Sequence, residues 1–64
     1  MKKILVEITA CSLKMYWYAD KIGEKFECYL DEFLDNFIVA EDQDENKSVI
    51  RMIDRKDGRI LQDV

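Results

Sequence analysis

Lys3 to Cys11 alternates in polarity, with Ile4, Val6, Ile8 and Ala10 on one side and Lys3, Glu7 and Thr9 on the other; Leu5 is the exception. A period of two with β-branched residues at the inward positions predicts a first strand with one wet face. The constraint is severe because the chain has only 64 residues. That is one domain, and a chain so short buries only about 60% of the surface its unfolded form exposes. The remaining residues must cover that one apolar face. One Trp, three Tyr and three Phe supply bulky core material and argue against disorder.

Downstream of this strand, Ser12 to Lys25 runs without a clear period and reads as a long loop folded over one end of a barrel. Gly23 near its end is expected to take positive φ, the usual reason for an isolated glycine entering a strand. Phe26, Cys28 and Leu30 then alternate with Glu27, Tyr29 and Asp31, which predicts a second strand over Phe26–Asp31.

The next residues carry two patterns at once. Leu30, Phe33, Leu34, Phe37 and Ile38 fall at helical spacing, opposite Asp31, Glu32, Asp35 and Asn36. Taken alone, that amphipathic pattern predicts a helix over 24–40. The alternation through Leu30, the triplet Phe37-Ile38-Val39 and the turn chemistry of Asp35-Asn36 favour two strands instead. Glu41 to Lys47 is a loop by composition, and Ser48 to Ile53 is another apolar-rich run. Asp57-Gly58 flanked by apolar residues predicts a hairpin into a short last strand. The preferred fold class is all-β, a five-stranded barrel formed by residues 1–64 as one small domain. The alternative is α+β: a strand, a helix and a hairpin.

Cys11 and Cys28 are too few for a disulfide-stapled scaffold. Both fall on expected strands, where cysteine acts as a small hydrophobe; one bridge would require those strands to pair in register. Lys2 and Lys3 precede an apolar run, and Ile8-Thr9-Ala10-Cys11 looks like a lipoprotein cleavage box. The apolar core of a signal peptide needs about 7–15 residues, whereas Glu7 interrupts this one after Ile4-Leu5-Val6. No stretch is suited to spanning a bilayer. A cytoplasmic location is expected.

The order Trp17-Tyr18-x-x-Lys21-Ile22-Gly23-Glu24-x-Phe26-Glu27, then Phe37-x-Val39 and Ile53-Asp54-x-x-Asp57, resembles a group of small uncharacterised proteins from Firmicutes genomes, prophages and phages. These typically read Trp-Tyr-x-x-x-Ile-Gly-x-x-Phe-x-Val. The resemblance is concentrated in residues 17–28 and implies a small SH3-like barrel. Cys28 stands where the group usually has valine, and the acidic stretch 41–47 is an insertion relative to it. The group has no established activity to carry over.

Catalysis is poorly supported by the residue types. There is no histidine, which leaves neutral-pH base work to groups with shifted pKa values and removes the usual serine and cysteine triads. There is no glycine-rich phosphate loop, and two cysteines without histidine do not make a structural zinc site. Asp42-x-Asp44-x-Asn46 copies the first positions of a calcium loop, but Lys47 and Ile53 stand where its glycine and bidentate glutamate belong. No cofactor or metal is expected, and no enzyme.

Two surfaces remain. Tyr16 and Tyr18, beside a Trp17 expected to close the barrel end, are candidate contacts for an unknown protein partner, together with Glu41, Asp42, Asp44 and Glu45. Arg51, Arg55, Lys56 and Arg59 form the alternative, a basic patch for nucleic acid on a C-terminal hairpin. The net charge of −4 disfavours phosphate backbones. The stretch also lacks the aromatic platforms of a single-strand binder, so pairing with Asp54, Asp57 and Asp63 is the plainer account of those charges. Exposed edge strands leave a homodimer open. The expected function is a non-enzymatic binding module of a prophage-type accessory protein.

Overall fold

A computed structural model describes residues 2–63 as a mostly β domain. The elements are β1 (Lys3–Ile8), β2 (Lys25–Asp31), β3 (Asn36–Val39), α1 (Ala40–Asp44), β4 (Met52–Asp54), a 3-10 turn (Arg55–Asp57) and β5 (Gly58–Asp63). All strand pairings are antiparallel, in the order β4-β3-β2-β1-β5. No helix among the described residues is long and apolar enough to cross a membrane.

The alternation in β1 translates directly into burial. Ile4, Val6 and Ile8 face inward, joined by Cys28 of β2, Phe37 and Val39 of β3, Ile53 of β4 and Tyr18 from the long loop. Gly23 takes φ +91, and its N–H donates to the Ile8 carbonyl at 2.7 Å, which closes the base of that loop. The helical spacing through Phe33 and Phe37 does not make a helix. Asp31 Oδ1 accepts from the N–H of Phe33 (3.0 Å) and of Leu34 (3.2 Å), and Asp35 adopts φ +56, so the chain reverses between β2 and β3. Asp and Asn tolerate this left-handed conformation better than other side-chain-bearing residues.

Five strands form as expected, but they do not close into a barrel: β4 and β5 are the two edges and do not pair with each other. The sheet nevertheless curls strongly. A Cβ on Gly58 of β5 would lie 2.7 Å from Val6 Cγ1 and 3.0 Å from Phe37 Cε2 of β3. Three strand spacings in a flat sheet would separate β5 from β3 by about 14 Å. Gly58 has an extended backbone (φ −124, ψ 149), so glycine is required there for space. Gly58→Ala should therefore cost about 1–3 kcal/mol through overpacking. A urea-unfolding free energy unchanged from the parent's would show that the curl has slack.

Four sequence expectations change. Asp57-Gly58 is not a hairpin, because β4 pairs with β3 while β5 crosses by way of the 3-10 turn to pair with β1. Residues 40–44 form a helical turn rather than loop. The first strand stops at Ile8, leaving Ala10 exposed and Cys11 off the sheet. Val49 and Ile50 are exposed and outside any strand.

Neither cysteine is bridged. The register places Ile4, not Cys11, opposite Cys28. Burial pushes the Cys28 thiol up to about 12, and Cys11 is partly exposed. Native protein should accordingly react with a thiol reagent at Cys11 alone, and denatured protein at both sites, since reactivity follows the exposed thiolate. Rapid native labelling of Cys28 would contradict the packing.

Candidate functional site

The long loop between β1 and β2 is held to the 3-10 turn by a buried carboxylate. Asp57 is 2% exposed, and its side chain accepts from Tyr18 Oη (2.7 Å), Ser12 Oγ (2.7 Å) and Ser12 N (3.0 Å). Its main-chain carbonyl accepts from the N–H of Thr9 and of Ala10. Burial pushes the Asp57 carboxyl up, but the bonds from Tyr18 and Ser12 outweigh it and hold the group below its ordinary value. Tyr18 Oη also accepts from the Asp54 N–H at 3.2 Å, and burial together with Asp57 raises the phenol's pKa.

This network explains the aromatic pair at 17–18. The Arg51 carbonyl bonds to Val39 of β3, so by the alternation of an antiparallel strand Met52 and Asp54 turn their main-chain groups away from the sheet. Trp17 Nε1 donates to the Met52 carbonyl at 2.8 Å, and Tyr18 Oη meets the Asp54 N–H. The pair covers the edge of β4 that would otherwise invite another strand. At the other edge, the register with β1 shifts between Leu5 and Val6, which leaves Leu61 as an extra residue in β5; bulges of this kind also discourage edge pairing.

Tyr18 therefore faces the core at 1% exposure, against the expectation that places it in an exposed contact. Tyr16 is only partly buried, and its ring centroid lies 5.4 Å from that of Tyr18. Trp17 packs edge-on against Tyr18 and Phe26, with the Arg51 guanidinium 5.1 Å from its ring centroid.

The acidic residues at 41–45 do not form a free patch. Asp42 is 1% exposed; Arg51 donates to it from Nε (2.7 Å), Nη2 (2.9 Å) and its main-chain N (3.0 Å). These bonds hold the Asp42 carboxyl at about 2. Asp44 accepts from Tyr29 Oη (2.6 Å) and meets Lys3 Nζ (2.9 Å), which lower its pKa. Lys47 lies 3.2 Å from Glu41 and 3.6 Å from Glu45. With Asp42 turned to Arg51, the calcium-loop spacing is not assembled, and no cluster of three or more metal-ligating side chains occurs among the described residues.

The four basic candidates also disperse. Arg51 belongs to Asp42, Arg55 reaches Asp35 at 3.5 Å, and Arg59 bonds Glu7 at 2.6 Å; Lys56 is exposed. The three arginines pair with Asp42, Asp35 and Glu7 rather than with the expected Asp54, Asp57 and Asp63.

Tyr16 and Tyr18 instead border an open groove of about 400 Å³. Its other walls are Leu34 and Asp35 of the β2–β3 turn, Asn36 at the start of β3, and Met52 and Asp54 of β4. Leu34 is 58% and Met52 44% exposed. Asn36 Nδ2 points at the Met52 sulfur (3.5 Å), and Asn36 Oδ1 is buried with no partner among the described residues. The lining thus contains two carboxylates, apolar walls and no basic side chain. Leu34 and Met52 escape sequence reasoning, because helical spacing assigns Leu34 to a core face and Met52 looks like part of an apolar strand. Comparisons with family models, curated proteins and solved structures return no match to this chain.

Proposed function

We propose that the chain is a small non-enzymatic binding module whose groove beside Tyr16 receives a segment of a protein partner. The groove carries the reading: Leu34 and Met52 stay exposed next to an aromatic ring, although burying apolar surface is what a chain this short needs most. The orphaned Asn36 Oδ1 lies in the same wall, and Met52, unbranched and flexible, can swing aside for a ligand donor. Concave sites with apolar walls and a few polar groups are the usual form of recognition surfaces.

The strand order, the long loop after β1 and the 3-10 turn before β5 support the SH3-like architecture implied by the resemblance at residues 17–28. Aromatic-lined grooves beside such loops take extended peptides. The prophage-type setting rests on that resemblance, and the cytoplasmic one on the apolar run that Glu7 interrupts.

Panning displayed random peptides over immobilised chain tests the reading. Peptides sharing a motif should be retained, and Tyr16→Ser or Met52→Ser should each weaken them about tenfold, the size of a modest hot-spot truncation. Tyr18 is left intact because it belongs to the core. Retention indifferent to both substitutions would remove the groove from consideration.

A further inference from the structure

Phe33 is 94% exposed, the most exposed large apolar side chain among the described residues, and Leu34 beside it is 58% exposed. Turn geometry does not account for a phenylalanine here: four-residue reversals favour Gly, Asn, Asp and Ser. The position is not a loose tip either. The Phe33 and Leu34 N–H groups share Asp31 Oδ1, and Asp35 closes the reversal at φ +56. The chain thus holds an aromatic ring in water on a hydrogen-bonded turn. Leu34 joins that turn to the groove wall.

We propose that the β2–β3 turn is an anchor, and that Phe33 inserts into an apolar pocket on a protein partner whose rim is basic. The inference rests on the groove reading and extends it from what the module receives to what it inserts. Aromatic side chains are favoured as anchors because they bury much area while fixing few torsions. The turn that carries the ring is acidic, a collar in sequence: Glu32 and Asp35 are exposed, and Asp31, whose Oδ1 holds the turn, precedes them. Arg55 reaches the collar, at 3.5 Å from Asp35, and no other ion pair to it occurs among the described residues.

That charge selects the occupant. An anionic lipid surface repels an acidic collar. A second copy of this chain brings a net charge of −4 to meet it. A basic-rimmed protein pocket satisfies both the ring and the carboxylates, as complementary interfaces do.

The test places the photo-crosslinker p-benzoylphenylalanine at position 33 of the full chain in its native cells, with Ile22, 53% exposed, and Tyr16 as comparison positions. A protein adduct from position 33, absent from position 22 and reduced at least fivefold by E32K with D35N, supports the anchor; Asn at 35 preserves the turn. Thermal unfolding of F33S and of E32K/D35N should match the parent, which separates lost contact from lost fold. No adduct, an adduct indifferent to the charge changes, an adduct of chain to chain, or retention on phosphatidylcholine or phosphatidylserine vesicles would each overturn the proposal. A partner crosslinked from position 16 but not from position 33 would end the anchor and leave the groove reading standing.

Discussion

Asp57→Asn is expected to leave the chain largely unfolded in plain buffer at room temperature. The substitution keeps the size of the side chain and replaces one acceptor oxygen with an NH₂ donor. Ser12 Oγ donates to one carboxylate oxygen, and Ser12 N and Tyr18 Oη donate to the other, so an amide takes the charge from all three bonds and forces Ser12 Oγ to turn from donor to acceptor in a site 2% exposed. Hydrogen bonds to charged groups contribute about 1.5–3 kcal/mol each against about 1 kcal/mol for neutral ones, so three bonds are weakened together. A combined loss of about 3–5 kcal/mol meets a domain whose core supplies at most about that much. The consequence is mechanical as well, since Asp57 holds the long loop, the 3-10 turn and, through Tyr18, the edge of β4.

Far-ultraviolet circular dichroism with urea titration provides the measurement, and three substitutions should rank. Asp57→Asn loses most, and Tyr18→Phe, which removes one hydroxyl and orphans the Asp54 N–H, costs about 1–2 kcal/mol. Ser12→Ala should cost less, its main-chain N–H still bonding Asp57. A cooperative Asp57→Asn transition within about 1 kcal/mol of the parent would show that the network adds little and that the loop is held by the apolar packing of Tyr18 alone.

The legible parts of this fold are those determined by near neighbours. The alternation of Ile4, Val6 and Ile8 predicts β1, the isolated Gly23 its positive φ, and Phe26-Cys28-Leu30 the inward face of β2. The double pattern at 30–38 has a simple cause. Leu30 and Phe37 are cross-strand partners, and two strands joined by a tight reversal can place inward residues seven apart, as two helical turns do. Phe33 and Leu34 between them complete the helical count while lying at the tip, which hides the candidate anchor inside what looks like core.

Illegible features depend on residues distant in sequence. Nothing local marks Asp57 as a buried acceptor for Tyr18 and Ser12, so beside Gly58 it reads as turn chemistry. Gly58 itself is required by Phe37 and Val6, two strands that sequence cannot place next to it. The acidic run at 41–45 reads as a solvated or contact surface because its partners, Arg51 and Lys3, stand elsewhere in the chain. The groove is likewise a product of three separate segments meeting: the long loop, the β2–β3 turn and β4.

The ion pair of Asp42 and Arg51 leads to the second large effect, a loss of stability in acid. The Asp42 carboxyl titrates at about 2 in the folded chain against an ordinary 3.8, mainly because Arg51 bonds its charged form. A carboxyl lowered by folding contributes stability that is complete above its unfolded pKa and disappears as pH falls through the folded one. The window runs from about pH 4 down to pH 2, and the shift corresponds to about 2 kcal/mol. Asp57, lowered in the same direction despite burial by its bonds from Tyr18 and Ser12, adds to the loss in acid. Removing the carboxyl by Asp42→Ala should cost about 2–4 kcal/mol at neutral pH, since it strips Arg51 of its hydrogen-bonded partner and opens a small cavity beneath α1. What remains to the guanidinium is Glu41 at 3.8 Å, the Trp17 ring at 5.1 Å and partial access to water. Measured by urea unfolding at several pH values, the parent should weaken steeply between pH 4 and 2, and Asp42→Ala should start lower and fall less. Equal acid slopes for parent and variant would mean that the pair is as well solvated unfolded as folded, and that Asp42 is buried without being held.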